Sequence, residues 1–127
     1  MTENEIATVV VDASLRVHRG LGPGLLESAY EVILAKELKN RGLRVGRQIL
    51  VPIVWNDEKI DEGFRADLIV EEKFIIELKS VETLAKVHFR QLLTYLRLTD
   101  YKLGLLINFN EALIKDGIHR VVNRLNE

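Results

Sequence analysis

The segment Phe74-Ile75-Ile76-Glu77-Leu78-Lys79 constrains this chain more than any other, because an apolar run of strand length carries a carboxylate and an ammonium two residues apart. Side chains two apart on a strand project to the same side, so Glu77 and Lys79 share one face. An isolated charge in apolar surroundings costs on the order of several kcal/mol, so each needs a partner or a metal ion. The preceding run Ala66-Asp67-Leu68-Ile69-Val70 supplies a second carboxylate. With Glu71-Glu72-Lys73 as a three-residue connection, Val70 opposes Phe74 and, counting back, Asp67 opposes Glu77. A two-residue connection would instead set Asp67 against Leu78.

Two facing carboxylates repel unless one is protonated or a cation lies between them. Ligation by oxygen alone favours a hard ion such as Mg²⁺ or Mn²⁺. Such an ion polarises a phosphoryl oxygen and lowers the pKa of bound water, while Lys79 would orient that water or offset charge in the transition state. The structural alternative is a buried Glu77–Lys79 or Asp67–Lys79 ion pair, which spacing alone does not separate from a metal site.

Around this pair the pattern reads as one α/β layer protein. Thr2 followed by Glu5 forms a capping box, after which Ile6, Val9, Val10, Ala13 and Val17 recur with helical spacing up to about Gly20. Gly22-Pro23-Gly24 breaks the chain. Leu26, Ala29, Tyr30, Ile33, Leu34 and Leu38 then mark a second helix that stops at Gly42. From Arg44 to Trp55 the pattern is extended, with Pro52 placing this strand at an edge or at a bulge. A turn at Asn56-Asp57-Glu58 leads to a short strand over 60–64, followed by strands over 66–70 and 74–78. A third helix is expected over 84–98, a strand buried on both faces over 101–109, and a last strand over 118–122. The predicted order is ααββββαββ. With 127 residues and 47% hydrophobic content there is material for one core, so residues 1–127 form a single domain.

Other polar residues fall on faces that look toward this centre. Glu27 lies on the wheel with Leu34 and Leu38 and is expected to face inward, although a first-turn glutamate also suits the helix dipole. His88, Gln91 and Tyr95 share the side of the third helix opposite Lys86, Arg90 and Arg97. Gln91 and Tyr95 can reach a phosphate or a site carboxylate, whereas a tyrosine among leucines also serves as packing. Trp55 is read as packing rather than as a base-stacking platform. Gly22-Pro23-Gly24 is read as a turn rather than an anion site. His18, His88 and His119 lack metal-ligand spacing. No nucleophile elbow, Walker-type loop or dinucleotide fingerprint occurs.

Bulk charge is permissive: 18 basic against 19 acidic residues give a net charge of −1, lower than usual for a tight duplex binder. Site carboxylates contribute negative charge that a bound cation would offset. Cysteine is absent, which removes disulfides and thiolate metal sites and suits a reducing cytoplasm. The start of the chain is polar and acidic, and no run approaches the roughly 20 apolar residues of a membrane span. The expectation is a soluble cytoplasmic protein.

The chain also resembles a known family. Gly24-Leu25-Leu26-Glu27-Ser28-Ala29-Tyr30 is similar to the signature of the GxxExxY proteins. Arg65-Ala66-Asp67-Leu68, Glu77-Leu78-Lys79, Gln91-Leu92-Leu93-Thr94-Tyr95-Leu96 and Gly104-Leu105-Leu106-Ile107-Asn108-Phe109 follow as that family's blocks in order, over residues 18–124. That family is grouped with the PD-(D/E)xK nucleases. The resemblance implies a restriction-endonuclease-like core, a mixed sheet flanked by helices. It further implies Asp67 as the aspartate, Glu77 and Lys79 as the E-x-K pair, Glu27 as an added metal ligand, and Gln91 and Tyr95 as assisting residues. Ala66 stands where the motif has proline, which is not a ligand.

Two functions are therefore expected to compete. One is a divalent-metal-dependent nuclease, with Asp67, Glu77 and Glu27 on Mg²⁺ or Mn²⁺ and DNA or RNA as substrate. The other is a non-catalytic nucleic-acid or protein-binding module on the same fold. A small, nearly neutral chain has little surface for gripping substrate, which a homodimer would enlarge.

Overall fold

The structure, a computed structural model, describes residues 1–126. Helix α1 spans Glu3–Leu21, α2 Glu27–Asn40, β1 Val45–Trp55, β2 Glu58–Val70, β3 Phe74–Lys79, α3 Lys86–Thr99, β4 Leu103–Asn108 and β5 Ile118–Val122, with a 3₁₀ turn at Ile114–Gly117. The capping box at the start of α1 is present: the Thr2 hydroxyl accepts from the Glu5 N–H at 3.1 Å, and the Glu5 carboxylate accepts from the Thr2 N–H at 2.7 Å.

The five strands form one mixed sheet in the order β1-β2-β3-β4-β5, in which only β3 and β4 run parallel. Parallel neighbours need a long crossover, and α3 provides it. Helices α1 and α2 cover one face, where Ile6, Val10, Tyr30, Leu34 and Leu38 pack with Leu68, Phe74, Ile76 and Leu105. On the other face Leu92 and Leu96 of α3 pack with Ile75 and Leu106. With helices on both sides, β3 and β4 are buried almost throughout, which is why their sequences read as unbroken apolar runs.

In two places the structure departs from the sequence expectation. The strands expected at 60–64 and 66–70 are one continuous strand, β2, so the sheet has five strands rather than six. Their fusion follows from β1, which pairs along nearly the whole of β2 as a long antiparallel hairpin. The break in pattern marks a register shift between Val51 and Ile53 instead, with Pro52 within it on the free edge strand. Gly63 lies opposite, where a β-carbon would collide with the Val51 carbonyl oxygen. Leu26, expected on the apolar stripe of α2, is 78% exposed because it occupies the extended cap position just outside the helix.

Beyond Leu68 the β2–β3 ladder ends, and the rest of the β1–β2 hairpin leaves the sheet as a two-stranded arm. The base of the arm is anchored on α3, with Val51 in the Leu92–Leu96 cluster and Phe64 stacked on Tyr95 at 3.4 Å between ring centres. Its turn residues Asn56 and Asp57 both have left-handed backbone angles, as a two-residue hairpin turn on twisted strands requires.

Candidate metal and phosphodiester site

The site forms where the β2–β3 ladder stops. Val70 pairs with Phe74, Ile69 with Ile75 and Leu68 with Ile76, the register of a three-residue connection. One step further, side-chain bonds replace the backbone ladder. Asp67 Oδ2 accepts from the Leu78 N–H at 2.9 Å, and Glu77 Oε1 accepts from the Asp67 N–H at 3.3 Å. The two carboxylates are thereby held side by side, each fixed by the other strand's backbone.

Ile75, Glu77 and Lys79 alternate onto the face that α3 covers, as the packing of Ile75 against Leu92 and Leu96 shows. Glu77 is only 8% exposed. Burial and the neighbouring Asp67 charge push its carboxyl up to about 9, against the smaller opposing effects of the Asp67 N–H and the Lys79 ammonium. The adjoining carboxylates therefore favour holding one proton between them. Burial, then the charges of Glu77 and Asp67, also raise the Tyr95 hydroxyl. Tyr95 is thus within electrostatic reach of both carboxylates from α3.

Two backbone clamps fix the end of β3. Asn108, fully buried on β4, accepts from the Val81 N–H at 3.1 Å and donates to the Val81 carbonyl at 2.8 Å. Ser80 donates its hydroxyl to the Leu25 carbonyl at 2.7 Å, and its N–H donates to Glu27 Oε1 at 3.2 Å. Lys79 lies directly before this clamped pair, so its backbone position is set from both sides.

Glu27 departs from the expectation. It is exposed rather than turned into the apolar stripe, since the first residue of α2 projects past the sheet it would pack on. It does border a small cleft of about 170 Å³ together with Ser28, Glu31, Gln48 and Asp67. The buried acid of α2 is Glu31, one turn deeper, which the sequence reading missed. Its Oε2 pairs with Arg47 at 3.0 Å, and its Oε1 accepts from Gln48 Nε2. The same Gln48 nitrogen donates to Asp67 Oδ1 at 3.2 Å, so α2 braces Asp67 through Gln48.

On α3, Gln91 is exposed and its side chain makes no hydrogen bond among the described residues. His88 caps its own helix, its Nδ1 accepting from the Ala85 N–H at 3.0 Å. Trp55, expected as packing, is 68% exposed on the arm.

Among the described residues no group of three or more acidic or histidine side chains converges into a metal cage. The oxygen-only donor pair nevertheless fits a hard cation: Asp67 and Glu77 adjoin, Glu77 is buried, and a positive charge between them would oppose its proton uptake.

The fold and the site define an α/β domain with two adjoining carboxylates and a lysine at the rim of a mixed sheet. The family model of the PD-(D/E)XK nuclease superfamily matches residues 4–121, and the chain belongs to that superfamily. Comparison with curated proteins and with solved structures gave no match. No helix among the described residues is long and apolar enough to cross a membrane.

Proposed function

We propose that this chain is a divalent-metal-dependent nuclease whose centre is Asp67, Glu77 and Lys79. The observation that carries the reading is a buried Glu77 held beside Asp67, an energetically costly pair that a bound cation would relieve. With two protein carboxylates, the remaining positions fall to water and phosphate oxygens, as is usual for Mg²⁺. The ion, Mg²⁺ or Mn²⁺, would supply Lewis acidity and a water of lowered pKa. Hydrolysis forms a bond from water oxygen to phosphorus, breaks the bond to the leaving oxygen and transfers a proton to that oxygen. Lys79 offsets the charge gathering on the phosphoryl oxygens. Glu27 holds the backbone after Lys79 through Ser80 rather than serving as a primary ligand, while Gln91 and Tyr95 border the approach from α3.

We further assign the chain to the GxxExxY branch. The spacing of its three named residues has a mechanical reason here. Gly24 has a φ of +106°, Glu27 bonds Ser80, and the Tyr30 hydroxyl ties the Gly22 carbonyl and the Leu25 N–H to the helix. The cysteine-free composition supports a cytoplasmic setting.

The test is cleavage of DNA and RNA, single- and double-stranded, with Mg²⁺ or Mn²⁺ and with EDTA, alongside calorimetric titration with Mn²⁺. Cleavage that needs metal and disappears in Asp67→Ala and Lys79→Ala is expected. Absence of Mn²⁺ binding, with nucleic acid still bound, would establish the non-catalytic module instead.

A further inference from the structure

The tip of the β1–β2 arm carries an unusual combination of side chains. Trp55 is 68% exposed and Val54 is 61% exposed, on a ribbon with no other element beside it. Residues 56–62 hold Asp57, Glu58, Asp61 and Glu62 against Lys59 alone, four acids less one lysine, a net −3. All five are exposed and none forms an ion pair among the described residues. Such a tip repels a phosphate backbone, while its apolar side chains gain from a protein surface.

The complement lies on α3, which contains no acidic residue. Its exposed Lys86, Arg90 and Arg97 lack ion-pair partners among the described residues, and Val87 beside them is 50% exposed. At 100° per residue these cations lie roughly 140–180° around the helix from Tyr95, the residue on which the chain's own arm is seated. The chain's own arm thus rests on the side of α3 away from its basic stripe, which leaves the stripe open to the arm of a second molecule. Pro52 withholds a backbone donor from the free edge of β1, so docking through side chains is favoured over strand addition.

We propose that two copies of this chain form a two-fold dimer by exchanging arms, the acidic tip of each seated on the basic stripe of α3 in the other. A two-fold axis makes both contacts at once, so the complementary charges count twice. This reading is independent of the nuclease assignment.

The experiment uses the full chain and two variants at exposed positions, Glu58→Lys with Glu62→Lys, and Lys86→Glu with Arg90→Glu. Sedimentation equilibrium gives the mass, and circular dichroism confirms that each variant is folded. The unaltered chain is expected to pass from 14.5 kDa to twice that with rising concentration, and to do so less readily in high salt. Trp55 is the only tryptophan, so its emission should shift to the blue over the same range. Each variant alone juxtaposes like charges and should remain monomeric. A mixture of the two restores opposite charges at both contacts and should dimerise. Monomer at every concentration, a dimer retained by either variant alone, or no dimer in the mixture would each overturn the proposal. So would a Lys86→Glu, Arg90→Glu protein that keeps its dimer but loses affinity for nucleic acid, since the stripe would then belong to substrate.

Discussion

Glu31 and Glu77 are the same residue type at nearly the same burial, 5% and 8% exposed, yet their surroundings are opposite. Glu31 has the Arg47 guanidinium and the Gln48 amide on its two oxygens. Glu77 has a second carboxylate beside it, one backbone N–H, and the weaker influence of the Lys79 ammonium. The first arrangement is complete and braces the fold. In the second, a charge is confined without an adequate counter-charge, so a proton or a metal ion has to supply what is missing.

The contrast breaks most visibly in activity. Asp67→Ala or Lys79→Ala is expected to lower metal-dependent cleavage about 100-fold or more, roughly 2.7 kcal/mol in the barrier. Circular dichroism should show the fold retained. Next in size is Asn108→Ala, which strands the N–H and carbonyl of Val81 and loosens the segment after Lys79. About 1–3 kcal/mol of stability should be lost in urea unfolding.

Glu31→Ala should cost about 1–2 kcal/mol. Arg47 is 41% exposed in its side chain and can turn to water, so the full price of breaking a buried pair does not apply. If Glu31→Ala instead stabilised the protein, Glu31 and Glu77 would not differ in kind.

Glu77→Gln should act with the opposite sign. The carboxyl of Glu77 is raised in the folded chain from 4.5 to about 9, so folding favours its protonated form. Its stabilising contribution is complete below pH 4.5 and is lost as pH rises toward 9. A glutamine retains an acceptor for the Asp67 N–H and has no charge to lose. In EDTA the melting temperature of Glu77→Gln should match that of the parent near pH 4.5 and exceed it increasingly as the pH rises toward 9. Saturating Mn²⁺ should raise the parent and leave the variant unmoved.

The fold was largely legible because periodicity reports burial directly. The stripe Ile6, Val10, Ala13, Val17 and the runs at 74–79 and 103–108 each have one inexpensive solution. Glu31 was missed although it lies three and seven residues before Leu34 and Leu38, the same spacing that marks an inward face. Glu27 and Glu31 both point inward by angle. Only the one a turn deeper is covered, and where the sheet ends is not written in the helix. Trp55 was misread for a related reason: an alternating strand gives its two faces, but not whether anything lies against them.

The residues themselves determined that Asp67 and Glu77 come side by side if three residues connect their strands, and the observed pairing of Val70 with Phe74 selects that connection over a two-residue one. Tertiary structure alone decided how each charge is answered. Arg47 and Gln48 reach Glu31 from 16 and 17 residues away, Asn108 holds Val81 from β4, and the arm departs from the sheet where the ladder to β3 stops. Local spacing fixes directions along the backbone, whereas counter-charges, clamps and exposure depend on which distant segments pack nearby.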